Sequence, residues 1–190
     1  MAVAGGKLVA FSTGLFATIM KRLLLLLLAC HGLQASVLAA PVQSVALLDL
    51  KRYLGTWYEV ASYPMFFQRM CVADTTAEYG LLEDGRVSVR NRCRKEDGSF
   101  SEVTGKAGVV AGTGNAQLKV SFFWPFSAPY WVIGLDPDYR WAVVGNPNRD
   151  YLWILSRTPQ LPPADWAAAR AIAQQQGFDL ERLKLTRQAP

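Results

Sequence analysis

The sequence predicts an all-β domain, an eight-stranded antiparallel up-and-down β-barrel with a C-terminal α-helix. Three observations predict it. Strand-favouring segments recur at short intervals between residues 55 and 157. The links between them are short and rich in turn formers, such as Glu83-Asp84-Gly85-Arg86, Lys95-Glu96-Asp97-Gly98 and Gly112-Thr113-Gly114-Asn115. No helical pattern interrupts the series, so closing the sheet is the economical way to remove its edges.

The elements follow in order. Residues 1–39 read as an export leader. Met20-Lys21-Arg22 supplies a charged start, residues 23–28 are all leucine, and Val37-Leu38-Ala39 offers small residues for cleavage before Ala40. Met20 is read as the true start. A second exit stays open: Leu27-Leu28-Ala29-Cys30 resembles a lipoprotein signal, which would acylate Cys30. Either exit places the protein outside the cytoplasm, in the periplasm or on the outer membrane. Residues 40–48 read as a tether and residues 49–190 as the folded domain.

Asp49 is expected to cap a helical turn ending near Tyr53. Strands are expected at about 55–63, 71–80, 86–93, 99–110, 117–123, 130–135, 140–145 and 151–157. Gly55 can enter the first from a tight bend. Asp165 is expected to cap a helix running to about Gln176, rich in alanine and stopped by Gly177. Trp166, Ala169, Ile172 and Ala173 share one face of that helix, suited to docking on the barrel. A last short strand is expected at 183–186. Closing the barrel would lay Arg157 on the face of Trp57 as a cation–π pair.

Composition excludes several function classes. The formal charge is +5, but Lys7, Lys21 and Arg22 lie in the leader, where there is no acid. The remaining excess of positive charge is slight, and the run from Arg90 to Lys95 is followed by Glu96-Asp97, which argues against a nucleic-acid footprint. His31 is the only histidine and lies before the domain. Histidine-based triads and most zinc sites are therefore excluded, and no cofactor or metal is expected. No phosphate-cradling glycine motif occurs. Cys71 and Cys93 fall near the open end of one hairpin, and export would favour their pairing as a disulfide.

Gly55-Thr56-Trp57, then Asp136-Pro137-Asp138-Tyr139 with Ala142-Val143-Val144, then Leu155-Ser156-Arg157 resemble the three lipocalin motifs in order and spacing. The likeness covers residues 49–188. Lys51 to Glu59 and Asp150 to Pro159 look most like the bacterial lipocalins of outer-membrane lipoprotein type and, more distantly, apolipoprotein D. The resemblance implies a calyx that holds a small apolar ligand, with structural roles for Gly55, Trp57, Asp138 and Arg157.

Side-chain alternation then assigns a wall. An inward Arg157 brings Leu155, Trp153 and Tyr151 inward with it, and Trp57 does the same for Glu59 and Ala61. The family register adds Ala142 and Val144, and Tyr130 is counted with the ligand wall. Aromatic residues from Phe122 to Tyr130 are open to three readings: an apolar rim, a homodimer contact or a membrane-facing lip. The function expected is binding and transport or storage of fatty acids or lysophospholipids in the bacterial envelope, supporting membrane maintenance, without enzymatic activity. The alternatives are a pigment or haem carrier and an isomerase-like enzyme, for which Glu59 or a reduced Cys71 are the available reactive groups.

Overall fold

The structure is a computed structural model describing residues 40–189. The leader, with its cleavage site, Cys30 and His31, lies outside the described residues. A single helical turn, α1 (Leu50–Tyr53), is capped by the Asp49 carboxylate, which accepts from the Lys51 and Arg52 amides at 2.9 and 3.4 Å. Eight antiparallel strands follow: β1 (Gly55–Ser62), β2 (Ala73–Leu81), β3 (Val87–Arg94), β4 (Phe100–Val109), β5 (Gln117–Ser121), β6 (Ala128–Leu135), β7 (Trp141–Gly145) and β8 (Leu152–Ser156). Each pairs with the next, and β1 pairs with both β8 and β2, so the ring is closed. The expected barrel is present, with strand ends shifted by a few residues.

Gly55 has φ +89°, a conformation that only glycine adopts freely, and this swings α1 into β1 across the closed end. The opposite, open end carries the β1–β2, β3–β4, β5–β6 and β7–β8 loops. The disulfide expected on hairpin geometry joins Cys71 to Cys93, with Cα atoms 5.4 Å apart. It ties the β1–β2 loop to the open end of β3.

Helix α2 spans Pro163–Gln175. Its N-cap is Pro162, not Asp165, because Pro163 already has a suitable φ for the first helical position. Asp165 lies instead in the first turn, where a carboxylate faces the positive helix end, and it pairs with Arg140 at 3.3 Å. Ala169 and Ala173 are buried against the barrel, with Trp166 and Ile172 beside them as expected.

Two apolar layers result. One fills the lower barrel around Trp57, Tyr79, Val89, Ala107, Val132 and Val144. The other joins the outer face of β1, β6, β7 and β8 to α2 and includes Val143, Leu152 and Ile154.

Two sequence expectations are corrected here. Residues 40–48 are not a free tether. Val42 and Leu48 are buried, and the Val45 and Leu48 amides donate to the Val132 and Gly114 carbonyls at 2.8 and 2.7 Å. The segment passes so close that a Cβ on Gly114 would lie 1.9 Å from the Ala46 carbonyl oxygen. Ala61 does not face inward. A bulge between Glu59 and Ala61 puts Glu59 opposite Leu155 but Ala61 opposite Ile154, so the alternation reverses and Ala61 is buried on the helix side.

Below that bulge β1 pairs with β2, from Gly55 to Tyr58, and above it the two strands part. The chain end fills the gap. A short strand, β9 (Lys184–Leu185), pairs with Ala61 and Ser62. The Thr186 amide donates to the Val60 carbonyl at 3.0 Å and the Asp74 amide to the Arg187 carbonyl at 2.8 Å. Gln188 bridges the two walls, its Nε2 donating to the Glu59 and Thr75 carbonyls at 2.7 and 2.9 Å.

Candidate functional site

The candidate site is the barrel interior, built from the inward positions of the strands. Its lower half is closed. Trp57 is fully buried, and Arg157 lies over its ring at 3.8 Å, as the cation–π expectation required. The same guanidinium donates to the Thr56 and Arg52 carbonyls at 2.8 and 2.7 Å. The neighbouring turn is organised by Asp136 rather than Asp138. Asp136 is buried and accepts from Arg140 and from the Asp138 amide, whereas Asp138 is exposed. Hydrogen bonding by Arg140 holds the Asp136 carboxyl below the usual range despite its burial.

Above Trp57 the lumen is crossed by tyrosines. The Tyr130 hydroxyl is hydrogen-bonded to those of Tyr53 at 2.7 Å and Tyr79 at 2.8 Å. Tyr130 comes from β6 and Tyr79 from β2, four places apart in an eight-strand ring. Their bond therefore joins opposite walls and makes a floor. Burial pushes the Tyr79 hydroxyl from 10.0 up to about 12 and raises Tyr53 and Tyr130 as well. The floor is thus uncharged at neutral pH.

This carries a prediction. An unfolded chain releases phenolic protons near pH 10, whereas the folded barrel keeps these three to higher pH. Their contribution to stability is whole below pH 10 and is lost as pH rises through about 12. Alkaline titration should show these tyrosinates appearing together with the loss of β-sheet circular dichroism. Ionisation of all seven tyrosines in a still-folded barrel would contradict the floor.

Above the floor the inward side chains keep partial exposure, including Asn91, Val103 and Trp153. Trp153 stacks on Tyr151 at 5.9 Å between centroids; Tyr151 meets Phe67 at 5.9 Å, and Phe67 meets Phe66 at 5.3 Å. This row of rings leads from the inner wall to the lip. Glu59 faces inward, and its carboxylate is held by three donors: Ser62 Oγ at 2.9 Å, Thr186 Oγ1 at 2.6 Å and Gln68 Nε2 at 3.1 Å. The inward positions of the eight strands carry no Lys or Arg.

Of the expected wall residues, Trp153, Tyr151, Leu155, Ala142, Val144, Tyr130 and Glu59 share the interior. Leu155, Ala142 and Val144 are packed in the core, while Trp153 and Tyr151 approach the mouth. Tyr53, Tyr79 and Phe67 were not among the expected site residues. Tyr79 alternates with Thr75 and Ala77 on one face of β2, which is a legible signal. Nothing local marks its cross-lumen partner.

A second concavity, about 420 Å³, lies outside the barrel on the face of β1 to β4. The basic run is there. Arg90 pairs with Glu78 and with Glu102 at 3.7 Å, Arg94 with Asp74 at 2.5 Å, and Arg92 stacks on Phe100 at 3.6 Å. Charges that are largely matched across strands make a ladder on a sheet surface, not a free basic stripe.

The family profile described as a lipocalin-like domain matches residues 48–188. The chain is 45% identical over 135 residues to the outer membrane lipoprotein Blc of Escherichia coli K12, covering 70% of this chain and 76% of that protein. It is 35% identical over 149 residues to apolipoprotein D of Bos taurus, covering 74% and 77%. Among solved structures it is similar to insecticyanin of the tobacco hornworm Manduca sexta, with a TM-score of 0.63 and 20% identity, covering 76% and 83%. That last likeness concerns the fold alone. A closed antiparallel barrel with one C-terminal helix, a Trp57–Arg157 pair at its closed end and a family match across almost the whole folded domain establish that this chain belongs to the lipocalin-like family.

Proposed function

We propose that this protein binds single-chain lipids, fatty acids or lysophospholipids, in the upper barrel and carries or stores them in the bacterial envelope, supporting membrane maintenance. The observation that carries this is the partly exposed apolar and aromatic wall above an uncharged tyrosine floor, with Arg157 confined beneath that floor against Trp57. An acyl chain gains about 0.8 kcal/mol for each methylene it buries there. An anionic head finds no partner inside and meets the Glu59 carboxylate, so the head stays at the mouth. The envelope location rests on the leader and on relatives named as outer membrane lipoproteins. Acylation of Cys30 would add a lipid anchor. The two groups that would serve an isomerase-like enzyme are engaged elsewhere: Glu59 with three donors and Cys71 in a disulfide.

Native mass spectrometry of protein purified from cells should show a co-purified lipid. Titration with a lysophospholipid should change tryptophan fluorescence, and Trp153→Ala should abolish that change. A Trp153→Ala protein that keeps the whole signal would place the ligand elsewhere.

A further inference from the structure

Twelve large apolar side chains of the described residues are well exposed, and the most exposed aromatic ones gather at one end. Trp124 is 92% exposed, Phe126 76% and Phe123 73%, all in the β5–β6 loop. Phe66 is 70% exposed, with Phe67 and Met70 beside it in the β1–β2 loop. Both loops are at the open end. They flank opposite sides of the mouth, because β1 and β5 stand four places apart in the ring. Single exposed apolar residues are ordinary on a protein surface, but two facing clusters of this kind around one opening are not.

We propose that this rim docks the protein, mouth down, on the surface of a phospholipid bilayer. Three observations favour a bilayer over other occupants. First, these two loops combine Trp and Phe with no acid, the acids of this end, Glu96, Asp97 and Asp150, lying in the other two loops. Residues 122–130 are uncharged, and residues 63–72 carry Arg69 alone, a cation suited to lipid phosphate. Indole and phenyl rings favour the zone where headgroups meet acyl chains.

Second, the chain enters the fold at this end. Arg149, in the β7–β8 loop, donates to the Ala40 carbonyl, and the Gln43 amide donates to Gln176 Oε1 at the end of α2 at 2.9 Å. Cys30 is ten residues before Ala40, within about 36 Å even for a fully extended chain. Acylation of Cys30 would therefore attach its tether to the end of the fold that carries the rim.

Third, the rings of Phe66, Phe67, Tyr151 and Trp153 run without a break from the lip to the inner wall. This offers an acyl chain a continuous apolar path between bilayer and barrel. Docking itself stands on the first two observations; the use of the path for lipid exchange rests on the lipid-binding reading.

The test is depth-resolved quenching with vesicles of phosphatidylethanolamine and phosphatidylglycerol carrying brominated acyl chains. Full-length protein purified from envelopes should show quenched emission, and Trp124→Phe should remove most of that quenching. Phe123→Ser with Phe126→Ser, keeping Trp124, should weaken vesicle binding about tenfold or more, since two buried rings are lost. These positions are exposed, so circular dichroism should be unchanged. Unquenched Trp124 in vesicle-bound protein would overturn the proposal, leaving an anchor as the only attachment. So would a dimer, seen by sedimentation without vesicles, that shields Trp124 and dissociates in the Ser variants. A Trp153 response to monomeric lysophospholipid in vesicle-free solution reports the ligand reading separately, so either idea can fail alone.

Discussion

Replacing Trp57 with alanine should destabilise the barrel by about 3–5 kcal/mol, the cost of removing a fully buried tryptophan. The residue is wholly inaccessible, and its Nε1 donates to the Tyr53 carbonyl at 2.8 Å. It also packs on the Tyr53 ring at 5.0 Å, so its loss loosens α1 and the tyrosine floor above it. Arg157 depends on the same ring and on two carbonyls that approach from different elements, Arg52 of α1 and Thr56 of β1. A lysine cannot span both with a flat fork while stacking on an indole. Arg157→Lys should therefore lose about 1–3 kcal/mol, while lysophospholipid affinity measured below the unfolding transition stays nearly unchanged. Urea unfolding of the three proteins checks this. An Arg157→Lys midpoint equal to that of the parent would remove the pair from the account of stability.

Removing the Cys71–Cys93 bridge should cost about 3 kcal/mol in the chain-entropy view, less any strain released. The bridge closes a separation of 22 residues. It also acts where the barrel is weakest, because β1 and β2 have already parted at this level and only residues 184–189 fill the gap. Cys71→Ser with Cys93→Ser should lower the melting temperature by roughly 6–12 °C for a domain of this size. The β1–β2 loop should lose amide protection before the rest. A melting temperature within 2 °C of the oxidised parent would mean that the loop is held by other contacts.

How much of this was legible in the chain depends on the range of the physics. The barrel, the capping Asp49, the Trp57–Arg157 pair and the disulfide follow from residues that signal their own roles. Turn chemistry sets each hairpin, and hairpin pairing sets which residues stand opposite. Alternation from Arg157 then puts Leu155 and Trp153 on the inner wall, where both pack against the barrel core. Alternation along β1 misplaces Ala61, because one extra residue at a bulge reverses every side chain beyond it and leaves no mark in composition. The Asp165 cap failed because Pro163 sets the helix start three residues earlier, with Pro162 at the cap position.

The sequence by itself determined the fold class, the closed end of the barrel and the apolar character of its wall, since these rest on local propensity and near-neighbour pairing. Only the tertiary structure decided what floors the lumen and what holds its inward carboxylate. The tyrosine floor joins residues 51 positions apart on opposite walls. The donors around Glu59 include Thr186, which is 127 positions away. The N-terminal segment reads as a tether because its apolar residues lack a period, yet it is packed because Val132 and Gly114 present carbonyls to it. Such contacts depend on ring closure, which brings distant residues together without any pattern that neighbouring residues could encode.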